Sequence, residues 1–253
     1  MSGATLIALV LAVAVGLSLG MLGGGGAVLT LPILVYVAGI GVRQAVVISL
    51  VVVGGTSLVA AVVHGRRGHI HAKAAALFGV TGMLAAYFGS SLTDAVPERA
   101  LLLTFASLML IVGVAMLRER PERPAAAQCR TWPCIGIGTV VGALTGFLGV
   151  GGGFLVVPAL VLFAGIETRI AIGTSLAVIA FNAAAGLLGH LRHGAIDWSL
   201  ALAFLAFALV GMTAGLRLSR HAPGAALRRA FAWLIIALGV VIGGLTTFHV
   251  RLP

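Results

Sequence analysis

The chain has 253 residues, of which 60% are hydrophobic and 9% charged, with a mean hydropathy of +1.18. Soluble domains carry about a quarter charged residues, so this composition excludes an ordinary soluble enzyme or a nucleic-acid-binding domain and indicates an all-α polytopic membrane protein. The formal net charge of +10 is a weaker signal, because basic cytoplasmic loops alone generate much of such an excess.

In chain order the apolar runs are Gly3–Leu22, Ala27–Ile40, Ala45–Val63, Ala74–Leu92, Ala100–Leu117, Trp132–Leu148, Phe154–Gly165, Ile170–Leu188, Trp198–Leu216 and Ala226–His249. Most approach the ~20 residues that a spanning helix needs, whereas the second and seventh are short. No Lys or Arg precedes the first run, and its counterpart in the second half is internal, so it is expected to be a retained helix rather than a cleaved signal. The charged, Pro-rich stretch RERPERPAAAQCR between them divides the chain into residues 1–117, a connector 118–131, and residues 132–253. Cys129 and Cys134 lie in or beside that connector, lack metal-site spacing, and are expected to be ordinary residues with no redox role.

The two halves are copies of one unit. GMLGGGGAVLTLP (20–32) and GFLGVGGGFLVVP (146–158) superpose at an offset of 158 − 32 = 126, which holds without gaps through the following segments. Gly16, Gly39, Arg43, Ser49 and Gly89 fall on Gly142, Gly165, Arg169, Ser175 and Gly215, and HGRRGHI from His64 falls on HLRHGAI from His190. Such register reflects an internal repeat of about five segments. If all ten cross, the copies are inverted. One side then holds Arg66, Arg67, Lys73, Arg118, Arg120, Arg123, Arg130, Arg169, Arg217, Arg220, Arg228 and Arg229, twelve cations, and the other holds Arg43, Arg99, Arg192 and Arg251, four. Counting each glycine-linked pair as one crossing makes the copies parallel and the split nine against seven. The positive-inside rule favours the inverted arrangement, with both termini outside the cytoplasm.

Secondary transporters built from inverted repeats place their sites where short, Gly/Pro-interrupted helices expose backbone near the midplane. The residues in that position are Gly23, Gly24, Gly25, Gly26 and Ala27 in one copy and Gly149, Val150, Gly151, Gly152 and Gly153 in the other. The plainer reading is that the glycines only permit close helix packing. All six acidic residues, Asp94, Glu98, Glu119, Glu122, Glu167 and Asp197, fall in loops or at segment ends, so no carboxylate is embedded to bind a cation or relay a proton. Helix N-termini after glycine loops attract anions instead. Ser49, Thr56, Thr174, Ser175 and Asn182 add neutral donors at membrane depth, unless their polar groups bond to their own helix turn. His64, Arg66, His190 and Arg192 end the third segment of each copy and are candidates for gating or proton coupling. No metal site, cofactor or catalytic constellation is indicated, and an embedded aspartate pair or His-Glu-x-x-His helix is missing from the sequence.

The paired glycine motifs, the stretch SLAVIAFNAAAGLLGHLRHGAIDW (175–198) and the two-copy organisation over nearly the whole chain resemble the sulfite exporter TauE/SafE family of bacterial membrane transporters. The resemblance implies a multi-pass permease of the bacterial inner membrane for sulfur-containing anions such as sulfite, sulfoacetate or other organosulfonates, often exported. It implies no cofactor and no nucleic acid, with a small anion and the lipid bilayer as partners; a homodimer is compatible with it. The first copy departs from the pattern, with Thr56 where the second has Asn182. Alternating access is the expected mechanism, and a passive anion channel is the alternative, since pore linings also use backbone dipoles and hydroxyls.

Overall fold

A computed structural model describes residues 3–91, 96–118, 131–148, 153–190, 197–219 and 223–247. Regular structure among them is helical throughout: α1 (Gly3–Leu22), α2 (Gly25–Pro32), α3 (Val42–Gly65), α4 (Ala72–Ser90), α5 (Glu98–Leu117), α6 (Thr131–Leu148), α7 (Gly153–Leu162), α8 (Thr168–His190), α9 (Trp198–Leu218) and α10 (Gly224–Thr247). Six are long and apolar enough to cross a bilayer, namely α3, α4, α5, α8, α9 and α10; Ile7–Leu22, Gly26–Val37 and Cys134–Leu148 are shorter apolar stretches. Large apolar side chains face outward around the molecule, among them Phe88, Ile111, Phe163, Val210 and Trp233, as lipid contact requires. Cys134 is disulfide-bonded, which corrects the expectation of an ordinary cysteine.

The short helices break where their prolines dictate. Pro32 lacks an N–H and its ring crowds the carbonyl four residues back, so α2 widens after it into a π-helical turn, Ile33–Val37. The Ala38 N–H donates to the Ile33 carbonyl at 3.0 Å and the Ile40 N–H to the Leu34 carbonyl at 3.0 Å. After Pro158 the same closure recurs, with Ala164 donating to Ala159 at 3.3 Å and Ile166 to Leu160 at 3.1 Å. Gly39 and Gly165 make both closures possible, because they adopt φ of 68° and 65°, a region that side chains strain.

Glycines also set the helix pairing. A methyl on Gly16 would strike the Ala208 carbonyl, and one on Gly20 would meet Met212, so α1 runs parallel to α9 at backbone contact. Gly142 meets Gly82 and Gly146 meets Ala86 in the same way, bringing α6 parallel to α4. By contrast, Gly54 lies against Ala183 while Gly186 lies against Leu50, so α3 and α8 run antiparallel. Gly113 against Ile236, with Gly239 against Leu110, makes α5 and α10 antiparallel too. The α3 and α8 pair is the centre of the molecule: 56% and 72% of their most apolar stretches are buried, against 33–39% in α4, α5, α9 and α10.

Candidate functional site

Where α3 and α8 meet, one side chain stands out on physical grounds. Asn182 is 0% exposed, and neither its amide oxygen nor its amide nitrogen has a hydrogen-bond partner among the described residues. Room for it comes from Gly82 of α4, where an added Cβ would lie 2.7 Å from Asn182 Oδ1 and 2.8 Å from Nδ2. Ser57 Oγ on α3 is likewise buried without a partner. An unpaired buried amide costs about 1–3 kcal/mol, with no water in a bilayer core to relieve it. Asn182 is 14 residues from the start of α8, about 21 Å along its axis at 1.5 Å per residue, so the group lies deep in the bundle.

Other embedded hydroxyls are satisfied locally. Thr56 donates to the Val52 carbonyl at 2.6 Å, with Val53 at 3.2 Å; Ser175 donates to Ile172 at 2.8 Å; Thr30 donates to Gly26 at 3.1 Å. Thr174 accepts from the backbone N–H of His71 at 2.9 Å, which pins the segment after α3 onto α8. Ser49 is fully buried.

The first glycine turn is built for tight packing. The Gly23 N–H closes α1 on the Leu19 carbonyl at 2.9 Å while Gly23 takes φ of 74°. Gly24 then caps α2 without a side-chain bond, and Gly25 opens α2, two residues before the Ala27 start expected from the sequence. A Cβ on Gly23 would lie 2.8 Å from Ile172 Cγ2, and one on Gly26 would lie 2.6 Å from Leu19 Cβ. The turn therefore sits at the level of Ile172, four residues or about 6 Å from the start of α8, not half-way along it. Ten residues separate Ile172 from Asn182, about 15 Å, so the structure does not bring Gly23–Ala27 and Asn182 together. Of the second glycine turn, Gly149, Val150, Gly151 and Gly152 lie outside the described residues, and Gly153 opens α7.

At the end of α3 the bundle becomes cationic. His64 is 8% exposed, and neither ring nitrogen has a partner among the described residues. It borders a cavity of about 40 Å³ whose wall also includes Met21, Arg67, His69, Arg169 and Ile172. Arg66 is exposed and is not part of that wall. At the matching end of α8, His190 is buried with Nδ1 at 2.9 Å from the Gly186 carbonyl; Arg192 lies outside the described residues. Sequence reasoning missed Arg67, His69 and Arg169 as wall residues: 105 positions separate Arg169 from His64, and only the fold joins them. No group of three or more His, Cys, Asp or Glu side chains suited to a metal ion occurs among the described residues.

Comparison with known proteins gives a consistent result. Residues 8–242 match the family described as sulfite exporter TauE/SafE. The chain is 35% identical over 236 residues to a probable membrane transporter protein of Xylella fastidiosa, covering 90% of each chain. It is 26% identical to the probable membrane transporter protein YdhB of Bacillus subtilis, over 85% of this chain and 90% of that one. A probable membrane transporter protein of Methanocaldococcus jannaschii is 29% identical over 74% of this chain and 73% of its own.

Proposed function

The chain belongs to the sulfite exporter TauE/SafE family, and from that premise we propose that it is a secondary transporter of small sulfur-containing anions, sulfite or organosulfonates such as sulfoacetate, working by alternating access. The observation that carries the proposal is the fully buried Asn182 amide of α8, beside Gly82 of α4 and without a partner among the described residues. A transported anion supplies an acceptor for its N–H₂ group, and a charge-assisted bond made there offsets part of the anion's desolvation. No embedded carboxylate occurs in the sequence to repel a negative solute.

The halves act as inverted copies. Helix contacts related by the 126-residue offset support this: Gly16 with Ala208 corresponds to Gly142 with Gly82, and Gly113 with Ile236 corresponds to Leu110 with Gly239. The direction of crossing supports inversion specifically. Matched helices of parallel copies run the same way, whereas α3 and α8, and α5 and α10, run oppositely. In this arrangement an anion passes Asn182 at the pseudo-symmetric centre, and the first glycine turn lies at a different level, beside Ile172. The Arg66 and Arg192 loops lie on opposite faces of the bacterial inner membrane. Inverted repeats with broken helices fit rocking of one copy against the other.

The test is flux from liposomes holding the purified protein, screened with sulfite, sulfate, thiosulfate and small sulfonates. Slow, saturable exchange of a sulfur anion is expected. Fast electrogenic conduction that does not saturate assigns the protein to the channel class, and no flux of any of these anions removes the proposed substrate.

A further inference from the structure

We propose that the cavity at the end of α3 is a separate docking site for a small oxyanion, in which Arg67, His69 and Arg169 surround the buried ring of His64. The inference deepens the transport reading by placing a second anion station about 15 Å from Asn182 along α8, measured from Ile172 in the cavity wall. Three observations point to an oxyanion rather than another ligand. First, the polar wall is predominantly basic: four cationic or imidazole side chains converge from α3, the turn after it and the first residues of α8, beside the neutral Ser219 at the end of α9, with Met21, Ile172 and Leu227 supplying apolar floor. A cation meets like charge there. Glu167, two residues before Arg169, is exposed and is not in the wall.

Second, His64 is more than nine-tenths buried, and both of its ring nitrogens are without a partner among the described residues. In neutral imidazole one nitrogen carries a donor. An apolar occupant leaves that donor unsatisfied at a cost, whereas an oxyanion accepts it. The rings of His64 and His69 stand 6.1 Å apart between centroids and are tilted by 52°, and both border the same cavity. Third, the frame is held in place. His71 N–H is bonded to Thr174 Oγ1 at 2.9 Å, and Gly173 accommodates the His69 carbonyl so closely that a methyl there would collide. The turn carrying Arg67 and His69 is thereby fixed against α8, which carries Arg169.

Size sets the ligand class. About 40 Å³ is little more than the ~30 Å³ share of one water in the liquid, so the cavity takes only the oxygens of an ion held at its mouth, where Arg67 is exposed, and has no room for a glycerolipid chain. A phosphate headgroup shares the same oxyanion chemistry, and the experiment separates the two sources.

Sodium sulfate and sodium sulfite are titrated into the full-length Asn182→Leu protein in detergent, at ionic strength held constant with sodium chloride. In that background the inner amide is removed and the cavity reports alone. Heat of binding and the thermal midpoint are read for the parent cavity, Arg67→Gln, Arg67→Lys and Arg169→Gln. Saturable binding is expected, weakened about tenfold or more by each Arg→Gln change, as loss of a charge-assisted hydrogen bond implies, with Arg67→Lys between the two. Equal affinity in all four, or no anion effect at constant ionic strength, overturns the site. A shift produced only by phosphatidylglycerol micelles assigns the cavity to lipid and also overturns it. Arg67 is exposed in the turn, so Arg67→Gln keeps the test available if Arg169→Gln fails to fold. The transport reading fails separately, through absent flux in the parent chain while sulfate still binds.

Discussion

Replacing Asn182 by leucine is expected to move stability and transport in opposite directions. The amide is fully buried with both polar atoms unpaired among the described residues, so the substrate-free protein carries a desolvation cost of about 1–3 kcal/mol. Leucine removes the polar atoms and still has the groove left by Gly82 of α4 to occupy. Allowing for imperfect fit, Asn182→Leu should stabilise the substrate-free protein by about 1 kcal/mol. Transport should fall, because one hydrogen bond to a charged ligand contributes about 1.5–3 kcal/mol, or about 10- to 150-fold in affinity. Thr56→Val is the control. Its hydroxyl is spent on Val52 and Val53 of its own helix, so flux should change by less than about threefold, the effect of a weak neutral bond. Thermal unfolding in detergent and liposome flux are measured on the same preparations. A less stable Asn182→Leu protein that transports at the parental rate refutes the reasoning, since it means that the amide is paired and serves only packing.

Two further expectations concern the scaffold. Gly16→Val and Gly142→Val should each disrupt a parallel helix pair at backbone contact, costing about 1–3 kcal/mol or more and lowering the yield of monodisperse protein, whereas Gly136→Ala meets nothing within 4 Å and should be neutral; equal yields for all three refute the packing role. Alkaline phosphatase fused after Pro253 should be active, as the positive-inside reading of the basic loops predicts for the inverted arrangement, and a silent phosphatase beside a fluorescent cytoplasmic reporter refutes that arrangement.

Much of the scaffold was legible because its determinants are periodic or conformational. Apolar length located the segments, and prolines and glycines located their breaks: the π-helical turn follows Pro32, and Gly39 and Gly165 carry the positive φ that only glycine takes freely. What the sequence hid was which glycine does what. In the sequence Gly16, Gly20, Gly142 and Gly146 stand out only as positions in register between the halves, yet they set helix pairs whose partners are more than fifty residues away. Depth was hidden too. A glycine turn is visible in a string of letters, but its level depends on where the turn after α1 meets α8, which Ile172 against Gly23 decides. Arg67 and Arg169 escaped notice for the same reason, as charge in a loop reads as a topogenic signal until the fold closes a cavity around it.

The polar residues at membrane depth divide by their side-chain chemistry, and the division gives the proposed two-copy transporter an unequal centre. A serine or threonine hydroxyl can reach the carbonyl three or four residues back and satisfy itself, as Thr30, Thr56, Thr145 and Ser175 do; Ser57, whose Oγ is buried without a partner among the described residues, is the exception. Self-satisfied residues cost little and need no ligand. Asparagine has two donors and a carbonyl on a longer arm, and a helix cannot meet all of them. At the centre of the bundle the second copy carries that demanding group, and the first carries the self-satisfied Thr56 at the corresponding position, 182 − 126 = 56. The amide beside Gly82 is therefore not matched by a second one across the bundle, although the Ser57 hydroxyl of α3 is also unpaired among the described residues. In the transporter proposed here an anion engages the second copy at the centre, while the cationic wall of His64, Arg67, His69 and Arg169 is supplied mainly by the first copy. Converting Thr56 to asparagine tests that division. A second unpaired amide should lower thermal stability by about 1–3 kcal/mol and, where it faces the same path, strengthen anion binding. Lower stability with unchanged anion affinity would place the path on the α8 side alone.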